Sequence, residues 1–220
     1  MLRGRSRLPV LAEISGPPEG TRAWSLRRDD FASLGKALPR LGGQRVVLVT
    51  GEGEAPPVAA LGLAAAALAG GKRTVLVECD LANPRLAAQV GLAAAPGVHE
   101  YLRWEAEPAD VLQPVVLGGP AAIGSSEPLV CVCAGRPASK AETLLGLQSF
   151  AHMVTKLRNA YELVVLTGAS VEREPGPCGA AARQVDAAIA ATPKAGADRA
   201  VRSALRRLPV PTLGTIAVGE

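Results

Sequence analysis

Six short apolar runs, separated by longer helical segments, limit most strongly how this chain can fold. They occupy residues 45–50, 74–79, 129–133, 162–167, 187–192 and 212–218. Uninterrupted runs of this length, rich in Val, Leu and Ala, are typical of strands covered on both faces. Because helical segments separate them, we expect parallel pairing through crossovers. The pattern predicts an α/β fold with an open, mostly parallel sheet and helices on both faces.

The segments between the runs carry helical signals. Residues 58–69 are rich in alanine and end at Gly70 and Gly71, a helix-stop signal. Further helices are expected over 84–90, 141–160, 179–185 and 197–208, with short helical pieces over 98–104 and 108–112.

The first part of the chain has a weaker pattern. Residues 8–14 read as a short extended piece and 27–41 as a helix. We therefore predict an N-terminal extension with its helix over 1–43, packed on a main α/β domain over 44–220.

Composition excludes several classes of protein. Hydrophobic residues make up 48% of the 220 and aromatic residues 3%, which is enough for a core of Ala, Leu and Val. The longest apolar run, 58–69, is shorter than the roughly 20 residues that span a bilayer. The net charge of +4 and the scarcity of aromatic residues make nucleic-acid binding an unfavoured interpretation. We expect a cytoplasmic protein whose four cysteines are buried thiols.

Polar residues follow three of the predicted strands where the strands end. They lie in Thr50–Glu54, Glu78–Asp80 and Thr167–Ser170. Ligands of open parallel sheets bind beyond the carboxyl ends of the strands. A glycine loop that opens a helix is the layout of a phosphate cradle, and neighbouring acidic strand ends are the layout of a magnesium site.

The residues around these strand ends resemble those of a known family. The resemblance is carried by Gly51–Leu61, Val75–Leu86, Gly91–Pro114, Cys133–Leu145 and Phe150–Leu166. In these segments the chain resembles the cytoplasmic ATPase domain of bacterial tyrosine kinases, which belong to the MinD/ParA branch of the P-loop ATPases. The resemblance implies a P-loop NTPase fold, Mg-ATP as cofactor, a role in exopolysaccharide biosynthesis and a membrane chain-length regulator as partner.

The phosphate loop departs from that family where chemistry matters most. The family places a lysine and a Ser/Thr hydroxyl where this chain has Glu54 and Ala55. A glutamate in place of the lysine replaces a positive charge with a negative one. One unit-charge contact at 4 Å contributes about 4 kcal/mol near a protein surface, so this change opposes the binding of a polyanion. The loop is also about four residues shorter than the family pattern. Pro56 and Pro57 supply no N–H donors to the start of the helix.

The other two strand ends retain part of the family's pattern of acidic residues. Glu78 and Asp80 retain the two acids of the second strand, but Thr167 stands where the family has a metal-binding aspartate. Asp80 is the one candidate catalytic residue, and its alternative role is to cap the next helix. We expect no catalytic residue, no metal and no cofactor.

These observations give three hypotheses for the function. The favoured one is a non-catalytic pseudo-ATPase of capsule or exopolysaccharide biosynthesis that binds partner proteins. Its alternatives are an active autokinase or ATPase with an unconventional loop, and a MinD/ParA-like positioning factor. The basic start, with Arg3, Arg5 and Arg7, would suit peripheral contact with the inner face of the membrane. The vestigial site comprises Gly51, Glu52, Gly53, Glu54, Ala55, Glu78, Asp80 and Thr167.

Overall fold

A computed structural model of the protein describes residues 8–16, 27–116, 127–193 and 197–219. Its strands form a sheet with the order β1-β8-β7-β2-β6-β3-β5-β4. Neighbouring strands are parallel except for β4, which runs antiparallel to β5. The expected open, mostly parallel α/β sheet is thus confirmed. The strands are β1 (Val10–Ser15), β2 (Val46–Gly51), β3 (Thr74–Glu78), β4 (Gln113–Val115), β5 (Leu129–Val132), β6 (Leu163–Ser170), β7 (Ala187–Pro193) and β8 (Thr212–Gly219).

Helices cover both faces of this sheet, as the apolar runs predict. Alternate residues of a strand point to opposite faces. Val47 and Val49 of β2 belong to one buried cluster, whereas Val46 and Leu48 belong to another. The helices are α1 (Arg28–Ala37), α2 (Ala55–Ala69), α3 (Leu86–Val90), α4 (Val98–Leu102), α5 (Pro108–Val111), α6 (Ala141–Leu145), α7 (Gln148–Ala160), α8 (Pro175–Ala182) and α9 (Arg199–Leu205), and a 3-10 turn spans Leu38–Leu41.

The helix α2 packs against the first of these clusters. Its residues from Ala55 to Leu68, apart from Pro57, are buried. Alanine at most of these positions lets the helix lie close to the sheet, because its side chains fill little space. Because α2 is held in the core, the end of the site-forming loop that leads into α2 is fixed in position.

Several element boundaries differ from the sequence-based predictions. The single helix expected over 141–160 is wrong: α6 stops at Gly146, and Leu147 is extended (φ −68°, ψ 149°) before α7 begins. The helices α2 and α8 start earlier than predicted because prolines occupy their first turns, where a missing N–H costs nothing. The three-residue strand β4 was not predicted.

The N-terminal segment joins the main sheet. The strand β1 pairs in parallel with β8, and α1 lies against its outer edge. The N–H of Ser15 donates to Oδ1 of Asp30 at 2.9 Å, and the N–H of Glu13 donates to Oγ of Ser33 at 3.1 Å. Side chains of α1 thereby satisfy donors of an edge strand that would otherwise be open to pairing. The boundary at residue 43 stays a prediction, and Arg3, Arg5 and Arg7 lie outside the described residues.

One carboxylate ties three segments together at the amino ends of the strands. Oδ2 of Asp186 accepts the N–H groups of Arg45 and Val46, both at 2.9 Å, and Oδ1 accepts a guanidinium N–H of Arg158 at 2.5 Å. Burial alone would raise the pKa of Asp186, but these hydrogen bonds outweigh burial and lower the pKa below its ordinary value of 3.8.

We expect this carboxylate to contribute to acid sensitivity. A lowered pKa in the folded state stabilises the fold above the ordinary aspartate pKa, and that contribution disappears as the pH falls through the folded value. Asp186→Asn should lower the free energy of unfolding at pH 7 by about 1–3 kcal/mol. It should also flatten the decrease in stability on acidification, as measured by urea unfolding at a series of pH values. Wild-type and variant curves that remain parallel down to acid pH would contradict this assignment.

Candidate functional site

The candidate site begins at the junction of β2 and α2, where the chain stays hydrogen-bonded to the sheet. Gly51 pairs with Ser170 of β6 and with Ala191 of β7. The N–H of the next residue, Glu52, donates to the carbonyl of Ala191 at 2.9 Å. Only residues 52–54 lie between the end of β2 and the start of α2. A loop this short, with its first donor already used, leaves few N–H groups for a phosphate.

Glu54 is the last residue of this loop, and it forms an ion pair with Arg85. A terminal guanidinium nitrogen of Arg85 contacts Oε2 of Glu54. The two side chains are 69% and 50% exposed, so solvent screens the pair and its effect on stability is small. The carboxylate therefore holds a cation of this chain at the position where the resemblance places the phosphate-binding lysine.

Glu78 is the last residue of β3, and its carboxylate accepts three backbone hydrogen bonds. Oε1 accepts the N–H groups of Arg85 at 2.5 Å and Leu86 at 2.7 Å, and Oε2 accepts that of Ala134 at 3.0 Å. The residue is only 2% exposed. Burial raises the pKa of Glu78, although the three hydrogen bonds oppose that rise. The side chain thus fixes the start of α3 and the segment after β5.

Asp80 takes a local role that differs from the expected helix cap. Its Oδ1 accepts the N–H of Asn83 at 3.0 Å, which closes a turn ahead of α3. The N-cap of α3 is Arg85, so the capping prediction for Asp80 was wrong and Glu78 receives the first helical N–H groups. Burial and, to a lesser degree, repulsion from Glu174 raise the pKa of Asp80.

The third strand end, on β6, contains a bulge. Between Val49 and Gly51 of β2 the partner register advances from Thr167 to Ser170, so β6 carries one extra residue. The hydroxyl of Thr50 donates to the carbonyl of Ala169 at 2.7 Å across this bulge. Thr167 is buried, and its carbonyl accepts the N–H of Cys79 at 2.7 Å. Beyond the bulge, the N–H of Val171 donates to the carbonyl of Gly51 at 3.0 Å, which ties the end of β6 to the end of β2.

Together these strand ends enclose a small polar cleft of about 140 Å³. Sites for drug-sized ligands usually span about 300–1,000 Å³, so this cleft is smaller than such a site. Four acidic side chains and two arginines line it, which gives an excess of negative charge. The charged lining residues are Glu54, Glu78, Asp80, Glu174, Arg85 and Arg173.

The structure brings only some of the predicted residues together. Gly53, Glu54, Glu78, Asp80 and Thr167 line the cleft, whereas the other three predicted residues do not. Whether any of them binds a ligand stays a prediction.

Glu52 is one of the residues outside the cleft. Burial and repulsion from Asp198 and Glu172 raise its pKa. Its Oε2 is buried and has no hydrogen-bond partner within the described part of the chain. Glu52 thus lies near two acidic groups, Asp198 at the N-cap of α9 and Glu172 after β6.

Sequence reasoning missed Arg85, Arg173 and Glu174 as parts of the cleft. The alternating charges that directly follow β6, in residues 172–174, are a signal that could have identified the last two. Arg85 gives no such signal, because its contact with Glu54 joins positions 31 residues apart.

The residues present do not fit Mg-ATP. Residue 55 lacks a hydroxyl, and the two arginines of the site are each paired with a carboxylate: Arg85 with Glu54, and Arg173 with Glu172 at 4.0 Å. No cluster of three or more His, Cys, Asp or Glu side chains that could hold a metal ion occurs in the described ranges. The four cysteines are buried free thiols, as expected. The described helices include none that is long and apolar enough to cross a bilayer.

Comparison with known proteins gives the fold. No family model matches the chain, and no curated protein does. Among solved structures, the chimerical protein CapA2B2 has a TM-score of 0.79 at 13% identity, covering 96% of this chain and 94% of that one. The kinase domain of the Escherichia coli tyrosine kinase ETK also has a TM-score of 0.79, at 15% identity, covering 96% and 90%.

A septum site-determining protein MinD from Pyrococcus horikoshii, solved with Mg-ADP, is less similar. Its TM-score is 0.58 at 15% identity, covering 79% of this chain and 69% of that one. The chain has the P-loop NTPase fold of bacterial tyrosine kinase domains and MinD-like ATPases.

Proposed function

We propose that this chain is a non-catalytic domain of the bacterial tyrosine kinase type that binds partner proteins in exopolysaccharide assembly. The observation that carries the proposal is the ion pair between Glu54 and Arg85. Glu54 is the residue that the resemblance aligns with the phosphate-binding lysine, and its carboxylate pairs with Arg85, one of the two arginines that line the cleft. Since phosphate binding depends on positive charge and free N–H donors, this cleft is unsuited to a triphosphate.

The electrostatics of the cleft support the same proposal. Burial raises the pKa of both Glu78 and Asp80, and neighbouring carboxylates add to that effect. The repulsion among Glu78, Asp80 and Glu174 would act on a polyanion in the cleft as well. With Thr167 in place of an aspartate, the acidic groups offer magnesium one carboxylate fewer than the family pattern.

The place of action and the partner are inferred from the fold. A membrane chain-length regulator, or another protein of polysaccharide assembly, is the partner we propose, because the fold is that of the tyrosine kinase domains. Contact of Arg3, Arg5 and Arg7 with anionic lipid would bring the domain to the inner face of the membrane, at about 1 kcal/mol per arginine.

Thermal unfolding in the presence of Mg-ATP tests the loss of nucleotide binding. A ligand at 100 times its Kd stabilises a protein by about 2.7 kcal/mol. For a chain of this size that amounts to a rise in Tm of roughly 5–10 °C. We expect the Tm to stay within about 1 °C of the nucleotide-free value at millimolar Mg-ATP or Mg-ADP.

This measurement has two controls: a protein that binds the nucleotide, and a variant of this chain that tests for an active ATPase. The Pyrococcus horikoshii MinD, whose structure holds Mg-ADP, shows by calorimetry that the nucleotide stocks are active. A clear rise in the Tm of this chain that disappears in Asp80→Ala, together with phosphate release, would establish the active ATPase instead.

A further inference from the structure

A second concave site lies at the opposite end of the sheet from the cleft. It is a groove of about 290 Å³. Leu8, directly before β1, and Thr212, the first residue of β8, both line it. Since β1 and β8 are parallel, these positions mark the amino ends of the strands. The groove is therefore separate from the vestigial phosphate site.

The groove combines apolar walls with a basic rim. The half-buried Leu8 and Val210 provide the accessible apolar surface beside the buried Leu205, and Arg202 and Arg206 provide the charge. Both arginines are exposed, and no acidic residue is among the lining residues. A pocket with these properties suits an apolar side chain flanked by carboxylates.

The arginines on and directly after α9 have no anionic partner among the residues that the structure describes. Arg199, Arg202, Arg206 and Arg207 lie on α9 or directly after it, and none forms an ion pair within the described ranges. Their described contacts are to neutral groups: Arg202 donates to the carbonyl of Ala197, and Arg207 donates to Oγ of Ser203. The positive charge of α9 is thus available to a ligand from outside.

Two other occupants fit the groove less well. A membrane would require an apolar face that inserts, but Val201, Ala204 and Leu205 of α9 are buried in the core. Single-stranded nucleic acid would require aromatic platforms, and none of the lining residues is aromatic. The segment that precedes Leu8 carries three arginines, so its own charge opposes its binding here.

From this combination we infer that the groove binds an acidic peptide segment that inserts an apolar side chain between α9 and the amino end of β8. The carboxylates of the segment would pair with Arg202 and Arg206 while the apolar side chain packs on Leu8 and Val210. This inference rests on the proposed partner-binding role and adds the chemistry of the partner. It does not depend on whether the cleft binds a nucleotide.

Fluorescence anisotropy with a designed peptide tests the inference. The probe is a fluorescein-labelled peptide in which aspartates and glutamates flank a central Leu-Phe pair. A second peptide has the Leu-Phe pair replaced by serines. We expect the full chain to bind the first peptide at least tenfold more tightly than the second, at about 0.1 M salt.

Paired charge reversals on the same helix localise the site. Arg202→Glu with Arg206→Glu should weaken binding of the Leu-Phe peptide at least tenfold. Arg199→Glu with Arg207→Glu changes the net charge equally but lies outside the groove lining, so it should weaken binding less than threefold. The corresponding glutamine pairs serve if a reversal lowers the Tm.

Three results would overturn the inference. Equal losses in the two pairs would show that binding depends on total charge alone. Equal binding of the two peptides would show that no apolar side chain is captured. Sedimentation with phosphatidylserine vesicles in the absence of peptide binding would assign the basic surface to a membrane. Nucleotide binding is measured separately, so a failed peptide test leaves the proposal about the cleft unchanged.

Discussion

Replacing Glu78 with alanine is expected to lower the free energy of unfolding by about 4 kcal/mol, which corresponds to a fall in Tm of roughly 8–16 °C. The reason is that three N–H groups, those of Arg85, Leu86 and Ala134, would lose their acceptor at a buried position. An unsatisfied buried donor costs about 1–3 kcal/mol. Relief from burying a carboxylate offsets part of the loss, since burial raises the pKa of Glu78.

Asp80→Ala is the matched control for this substitution. Asp80 is another acidic residue at the same strand end, but its main-chain contacts are local, to Asn83 and Ala82 in its own turn. Its loss should cost about 1 kcal/mol. Urea unfolding of both variants gives the comparison, and Glu78→Gln should be intermediate because an amide keeps one acceptor oxygen. A Glu78→Ala protein as stable as Asp80→Ala would show that Glu78 does not hold these segments together.

Replacing Gly51 with alanine is expected to prevent folding or to lower the free energy of unfolding by at least about 3 kcal/mol. A Cβ at this position would lie 1.9 Å from the carbonyl oxygen of Ala191 and 2.8 Å from its nitrogen. These atoms belong to the backbone of β7, which pairs with β2 here, so the clash cannot be relieved by a change of rotamer.

Gly179→Ala in α8 is the control for Gly51→Ala. Nothing lies within 4 Å of a Cβ built on Gly179, and alanine is favoured over glycine inside a helix by about 0.5–1 kcal/mol. Gly179→Ala should therefore be neutral or slightly stabilising. Soluble yield and urea unfolding distinguish the two variants. Equal stability of both would show that β7 moves to accommodate a side chain at Gly51.

The tight packing around Gly51 offers a second explanation for the glycine in this loop. A glycine at the end of the first strand of the main domain also fits a phosphate cradle, and the sequence pattern alone favours that interpretation. In the structure the residue pairs on both sides, with Ser170 and Ala191. Close packing between strands is thus a sufficient physical reason for glycine here, without any ligand.

The alternation of apolar runs and helices was enough to predict the sheet, because strand and helix periods are local properties of the chain. Boundaries were less accurate where neighbouring signals compete. Gly146 ends α6 inside a segment that otherwise reads as one helix. The strand β4 escaped prediction because it is three residues long and contains Pro114, and its pairing with β5 is a tertiary contact.

The sequence by itself predicted that polar residues follow three parallel strands, and its resemblance to the kinase family implied that Glu54 takes the place of a lysine. Only the tertiary structure decided what those residues do. Glu78 accepts a hydrogen bond from Ala134, 56 residues away, and Glu54 pairs with Arg85, 31 residues away. Local patterns determine which segments become strands, since each strand forms from its own residues. Hydrogen-bond and ion-pair partners depend on which distant segments the folded sheet brings within about 3 Å.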